Sequence, residues 1–177
     1  MSSRLWEDVN EGEQLPTLQF GPMTIKRFML MAAGSRDFNP QHHNTAWCQA
    51  SSSRDMFATT PWHEGLFGRY ATDWSGPDSD FRASSLAMVI QVCLGDSLNV
   101  NGTVVKKWIE GEDYLVQLEM ASESHLGTCA RSTATLAMPS REGGAVKPRR
   151  GFRKPDLAPH PQMPKWAREK LGQPSPM

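Results

Sequence analysis

The sequence predicts an α+β fold in which one curved antiparallel sheet wraps a single central apolar helix. Three observations carry this. Leu66, Phe67, Tyr70, Ala71 and Trp74 recur at helical spacing and form a wide, aromatic stripe. Further on the pattern switches to period two: Tyr114, Val116, Leu118 and Met120 share one face, and Leu115, Gln117 and Glu119 the other. Short polar turns join the strand segments, which suits antiparallel pairing.

In chain order, residues 5–23 read as an entry segment with a strand at Leu18-Gln19-Phe20, punctuated by Gly21-Pro22. Thr24 is a good N-cap for a first helix. Ile25, Phe28, Met29 and Ala32 fall at i, i+3, i+4 and i+7 and make its apolar stripe, and Gly34 is a suitable stop. Residues 34–63 are polar and poor in periodicity, with a short helix expected from Asn44 to Ala50. Structureless loops longer than roughly 15 residues are uncommon in compact domains and are often functional. The buried helix is expected from Glu64 to Ser75, where Gly76-Pro77 ends it.

After a polar turn at Pro77 to Asp80, a strand is expected over Leu86 to Leu94, closed by Gly95-Asp96. Further strands follow from Leu98 to Trp108, over Tyr114 to Met120, and from Cys129 to Met138, with turns at Glu110 to Asp113 and His125 to Gly127. A sheet of this kind leaves an edge exposed, and pairing with a second subunit would cover it.

The chain has 177 residues and a formal net charge of zero, so overall charge selects no class of partner. The balance hides an asymmetry. Residues 1–139 carry 10 Lys/Arg and 16 Asp/Glu, a net of −6, and residues 140–177 carry 9 and 3, a net of +6. This divides the chain into a domain over 1–139 and a basic, Pro-rich tail over 140–177, within which Pro164 to Leu171 suits a short helix. Arg149, Arg150 and Arg153 have the planar fork that suits phosphates. The basic tail holds only Phe152 and Trp166 as aromatics, and no nucleic-acid partner is expected.

Cys48, Cys93 and Cys129 are odd in number and widely spaced. They argue against a disulfide framework or a zinc site and for small buried side chains in a reducing compartment. No metal and no cofactor is expected. The start of the chain turns acidic at once, unlike a signal peptide. No stretch approaches the roughly 20 apolar residues that span a bilayer, so no membrane partner is expected. The expectation is a soluble, cytoplasmic chain.

The chemistry-bearing stretch is Ser35-Arg36-Asp37-Phe38-Asn39-Pro40-Gln41-His42, a carboxylate, an amide and an imidazole within six residues. Pro40 fixes its own φ and keeps Asn39 out of the helical region, forcing a bend. By residue type alone, Asp-x-Asn-Pro is ordinary turn chemistry, with Asp and Asn bonding their own backbone. The same bend turns Asp37 and His42 toward one pocket, where a carboxylate and an imidazole sharing a water make an acid–base couple. Asn39 is a supporting residue that holds either group by hydrogen bonding.

This run resembles the signature of the MaoC-like, R-specific enoyl-CoA hydratases, Gly-Asp-x-Asn-Pro-x-His, with Asp37, Asn39, Pro40 and His42 matching it. Glu64-Gly65-Leu66 resembles the His-Gly-aliphatic opening of that family's central helix, and Gly95-Asp96 resembles its Pro-Gly-Asp turn. The resemblance covers residues 5–138. It departs from the family at Arg36, in place of Gly; at Gln41, in place of an aliphatic residue; at Asn44, in place of Asp; and at Glu64, in place of His. Arg36 is also placed to pair with Asp37.

The resemblance implies a hot-dog fold and reversible hydration of a trans-2-enoyl thioester of coenzyme A to a 3-hydroxyacyl-CoA. It implies Asp37 and His42 as the catalytic pair, the formal base being either one. The enolate oxygen needs fixed donors, and Gly65, read as opening the central helix, supplies a free N–H there. It also implies a homodimer, or a heterodimer or tetramer with another hot-dog chain. Two alternatives stand beside this: a subunit of a heteromeric hydratase, and a hot-dog acyl-thioester binding protein or thioesterase. Trp47, Trp62 and His63 are candidate substrate-binding residues around the acyl chain. His43 is read as solvated, His125 as a hairpin-turn residue and Trp74 as core.

Overall fold

The computed structural model describes residues 4–147. The helix expected at 164–171 and the three arginines weighed as phosphate ligands lie outside the described residues. The order of elements is β1 (Leu18–Phe20), α1 (Ile25–Ser35), α2 (Thr45–Ala50), α3 (Thr60–Ser75), β2 (Asp80–Met88), β3 (Leu98–Glu110), β4 (Asp113–Ser124) and β5 (Gly127–Ala137), with single 3-10 turns at Trp6–Asp8 and Pro40–His42.

All five strands form one antiparallel sheet in the order β1-β3-β4-β5-β2. Leu66, Phe67, Tyr70 and Ala71 of α3 are buried together with Val100, Val104, Val116, Leu118 and Leu136 of the sheet. The wide aromatic stripe therefore makes α3 the central helix. Gly102 of β3 is where sheet and helix meet most tightly: a Cβ there would lie 3.0 Å from the Tyr70 ring.

Each α-helix begins on a side-chain cap. The Thr24 hydroxyl accepts from the N–H of Arg27, Asn44 from that of Trp47, and Thr59 from that of Trp62. Capping explains two departures from expectation. The central helix starts at Thr60, four residues before Glu64, because Thr59 caps it and Pro61 suits its first turn. The first helix runs past Gly34 to Ser35 and ends on Arg36 in a left-handed conformation, φ 56°.

Its buried face is Phe28, Met31 and Ala32, leaving Ile25 and Met29 exposed, so the stripe read from the sequence is rotated toward Met31.

The strand expected over Leu86–Leu94 lies earlier, at Asp80–Met88, as the strand paired with β5 at the sheet edge. An edge strand is half-exposed on both faces and shows little alternation, which hid it. The apolar run that follows is not a strand of the sheet. Val92 and Cys93 are fully buried because their segment pairs with the loop before α3: Ala58 N–H donates to Val92 O (2.9 Å), Leu94 N–H to Met56 O (3.2 Å), and Phe57 bridges Cys93. All three cysteines are buried free thiols. Residues 140–144 make a small turn that docks on the N-terminal segment, where Glu7 accepts from the Ser140 hydroxyl (2.6 Å) and the Arg141 N–H (3.0 Å).

Candidate active site

The Asp37–His42 bend is built by the turn chemistry its residues favour. Asp37 Oδ1 accepts from the Asn39 N–H (3.2 Å), and Asn39 Oδ1 caps the 3-10 turn by accepting from the Gln41 N–H (3.2 Å). Asn39 therefore holds backbone rather than either reactive side chain. The ordinary turn and the acid–base geometry coexist, since Asp37 uses one oxygen for the turn and keeps the other, Oδ2, 3.5 Å from His42 Nε2. The Asp37 side chain is 42% exposed and that of His42 only 5%.

His42 is fixed from behind. Its Nδ1 lies 2.7 Å from the Phe57 carbonyl, and its ring stacks edge-on against Phe57 at 5.2 Å. A carbonyl only accepts, so Nδ1 carries the hydrogen, and the neutral form of the ring presents its Nε2 lone pair toward Asp37. The Gln41 amide nitrogen sits 3.0 Å from Nε2 and donates to it. Phe57 is itself held, its N–H donating to Gln41 O (3.0 Å). His43 points away and meets the Phe38 carbonyl at 2.9 Å. Arg36 is exposed and makes no ion pair with Asp37 among the described residues.

Asp37 and His42 open on a cleft of about 340 Å³. The cleft is lined by Phe57 and Ala58, by Thr60, Pro61 and His63 from the start of α3, and by Met88 to Gln91. The structure thus brings His63 to the pair. It does not bring Gly65, Trp47 or Trp62. Gly65 is a correction: with α3 starting at Thr60, it falls in the second turn, where its N–H belongs to the intrahelical ladder, and it is exposed and away from the cleft. Trp47 is 42% exposed on α2. Trp62 packs edge-on against Phe20 at 5.6 Å.

Sequence reading missed the Phe57 carbonyl and the Met88–Gln91 lining. The apolar trio Met56-Phe57-Ala58 inside a polar loop was the available signal for the first. Nothing local signals the second, which depends on β2 lying beside β5.

His63 is 2% exposed, and its Nδ1 is buried without a hydrogen-bond partner. Burial pushes its pKa down to about 4, so the ring is neutral.

No family model matches the chain. It is 28% identical over 128 residues to the 3-oxo-4,17-pregnadiene-20-carboxyl-CoA hydratase beta subunit of Mycobacterium tuberculosis, covering 72% of this chain and 95% of that protein. Among solved structures, it superposes on the ChsH1-ChsH2 complex of the same organism with a TM-score of 0.67 and 26% identity, over 73% of this chain and 98% of the other. The MaoC-like dehydratase of Rhodospirillum rubrum gives a TM-score of 0.64 at 20% identity, over 78% and 98%.

The chain has the hot-dog fold, and it is similar to MaoC-like hydratases and dehydratases. Its sheet and central helix are those of the hydratase and dehydratase hot-dog proteins, a group that includes subunits of heteromeric hydratases. The cleft lies between the start of the central helix and the end of β2. Among the described residues, no helix is long and apolar enough to cross a membrane.

Proposed function

We propose that the chain adds water reversibly across the double bond of a trans-2-enoyl-CoA thioester, with Asp37 and His42 as its acid–base pair. The observation that carries this reading is the pinned His42 ring. Its Nδ1–H is committed to Phe57, and its Nε2 lone pair stands 3.5 Å from a carboxylate oxygen at the mouth of a cleft. A water entering there would replace the Gln41 amide at that lone pair and bridge to Asp37.

In the forward direction the water oxygen bonds to C3, one of its protons passes to the Asp37/His42 pair, and C2 receives a proton. The thioester oxygen gains and then loses negative charge, and a donor fixed at that oxygen stabilises it. Thr60 replaces Gly65 as the candidate backbone donor. It lines the cleft at the positive end of the α3 dipole. Beyond it, Pro61 has no N–H, and that of Trp62 is taken by Thr59. Three buried free thiols suit a reducing, cytoplasmic setting for this chemistry.

Asp37→Ala and His42→Ala should each abolish hydration of crotonyl-CoA, a longer enoyl-CoA and a ring-bearing enoyl-CoA, followed by loss of enoyl absorbance, while circular dichroism stays native. Wild-type turnover by either variant would remove the pair from the mechanism. The ring-bearing substrate is included because the Mycobacterium relative is named for one.

A second reading, a subunit active only with a different hot-dog chain, is favoured by the similarity to one chain of a two-protein complex. Activity from the purified chain alone would exclude it.

A further inference from the structure

We propose that His63 is a third ligand-contacting residue of this cleft, a neutral hydrogen-bond donor to the acyl oxygen of the bound thioester. The proposal rests on the hydratase reading above and deepens it.

Three observations converge. First, His63 is 2% exposed, yet it lines the cleft together with Asp37 and His42. Second, its Nδ1 is buried and makes no hydrogen bond. Native interiors satisfy nearly all such atoms, and an unsatisfied one costs stability unless something outside the chain completes it. The contrast with His42 is direct, because there a backbone carbonyl occupies the equivalent nitrogen at 2.7 Å. Third, the ring has an apolar neighbour in its own helix. Trp62 meets it edge-on at 5.0 Å.

A neutral imidazole carries one N–H and one lone pair. It therefore offers a donor without introducing a charge that would compete with the Asp37 carboxylate. A thioester oxygen accepts hydrogen bonds and donates none, so it complements such a group. His63 sits within the first turn of α3, beside the Thr60 amide, and both line the cleft. A carbonyl received there meets a side-chain donor and the positive helix end together. His63 transfers no proton: it holds the oxygen while Asp37 and His42 handle water.

The experiment compares His63→Phe and His63→Gln with wild type in steady-state hydration of crotonyl-CoA and the ring-bearing enoyl-CoA, with melting temperature measured on each protein. Equilibrium affinity for the better substrate is measured in the inactive Asp37→Asn background with and without His63→Phe. Phe fills the space without a polar atom. A donor role predicts that His63→Phe melts no lower than wild type while kcat falls on the order of 100-fold. It also predicts that affinity in the Asp37→Asn background weakens by less than kcat does, and that His63→Gln recovers part of the rate. His63→Phe turnover within about twofold of wild type, with Asp37→Asn inactive, overturns the His63 role and leaves the pair standing. A falling melting temperature with unchanged kcat also overturns it, by making the ring structural. Wild-type turnover by Asp37→Asn itself defeats the hydratase reading, and this proposal with it.

Discussion

At Arg36 the chain enters the left-handed region, φ 56°, immediately before Asp37. A side chain there costs about 1 kcal/mol that glycine avoids. Arg36→Gly should therefore raise the denaturation midpoint modestly, by up to about 1 kcal/mol, since the added freedom of the unfolded chain offsets part of the gain. His63 makes the opposite kind of residue-level statement. Its folded pKa is about 4 against an ordinary 6.5, because burial disfavours the charged ring. Between those values the unfolded chain binds a proton that the folded chain does not. Stability from this group is whole above pH 6.5 and declines as pH falls toward 4, at no more than about 1.4 kcal/mol per unit. The melting temperature of His63→Phe should vary less than that of wild type from pH 6.5 to 4, and parallel curves for the two proteins would refute this.

Among the elements, the cleft depends on a clasp that no single element contains. Asp96 is buried, and it accepts from Arg54 Nη1 (3.0 Å), Arg54 Nη2 (2.5 Å) and the Cys93 N–H (2.8 Å). This ties the loop before α3 to the turn before β3, and cleft-lining residues branch from both segments. Burial alone would raise the Asp96 carboxyl, but Arg54 and the Cys93 N–H outweigh it and hold the pKa below the ordinary carboxylate value. Its stabilisation is thus present above that value and lost as pH falls through the lowered one. Asp96→Ala should cost about 2–3 kcal/mol in chemical denaturation, because it strands the Cys93 N–H and empties the Arg54 fork. Gly102→Ala tests the helix–sheet contact in the same way. A Cβ 3.0 Å from the Tyr70 ring and 3.2 Å from Met120 should lower the midpoint by about 1–3 kcal/mol through overpacking.

At the scale of the whole molecule, the sheet has two edges of unequal length among the described residues, β1 with three residues and β2 with nine. β2 is intermediate to exposed along its whole length, and Met88 and Val89, at its end and beside the cleft, are 53% and 62% exposed. A long edge, unpaired among the described residues and ending in exposed apolar side chains, is what association would cover. Light scattering should return a mass of at least twice 19.7 kDa for the chain alone or for its complex with a second hot-dog chain. A monomer under both conditions would refute this.

What the sequence determined by itself is local. The caps at Thr24 and Asn44, the aromatic stripe of α3, the long alternating strands and the Asp37–His42 bend are all written within a few residues of where they act. Their signals are periodicity and side-chain-to-backbone bonding, which need no distant partner. The tertiary structure decided what shares the cleft with that bend. It put Thr60 and His63 there in place of Gly65, assigned Phe57 to pin His42, and brought Met88 to Gln91 to the same cleft. Those choices follow from β2 crossing the sheet to pair with β5 and from buried backbone around Val92 and Cys93 finding partners in residues 56–58. Such pairings join segments far apart in the chain, and their energy comes from burial that no short window of sequence contains.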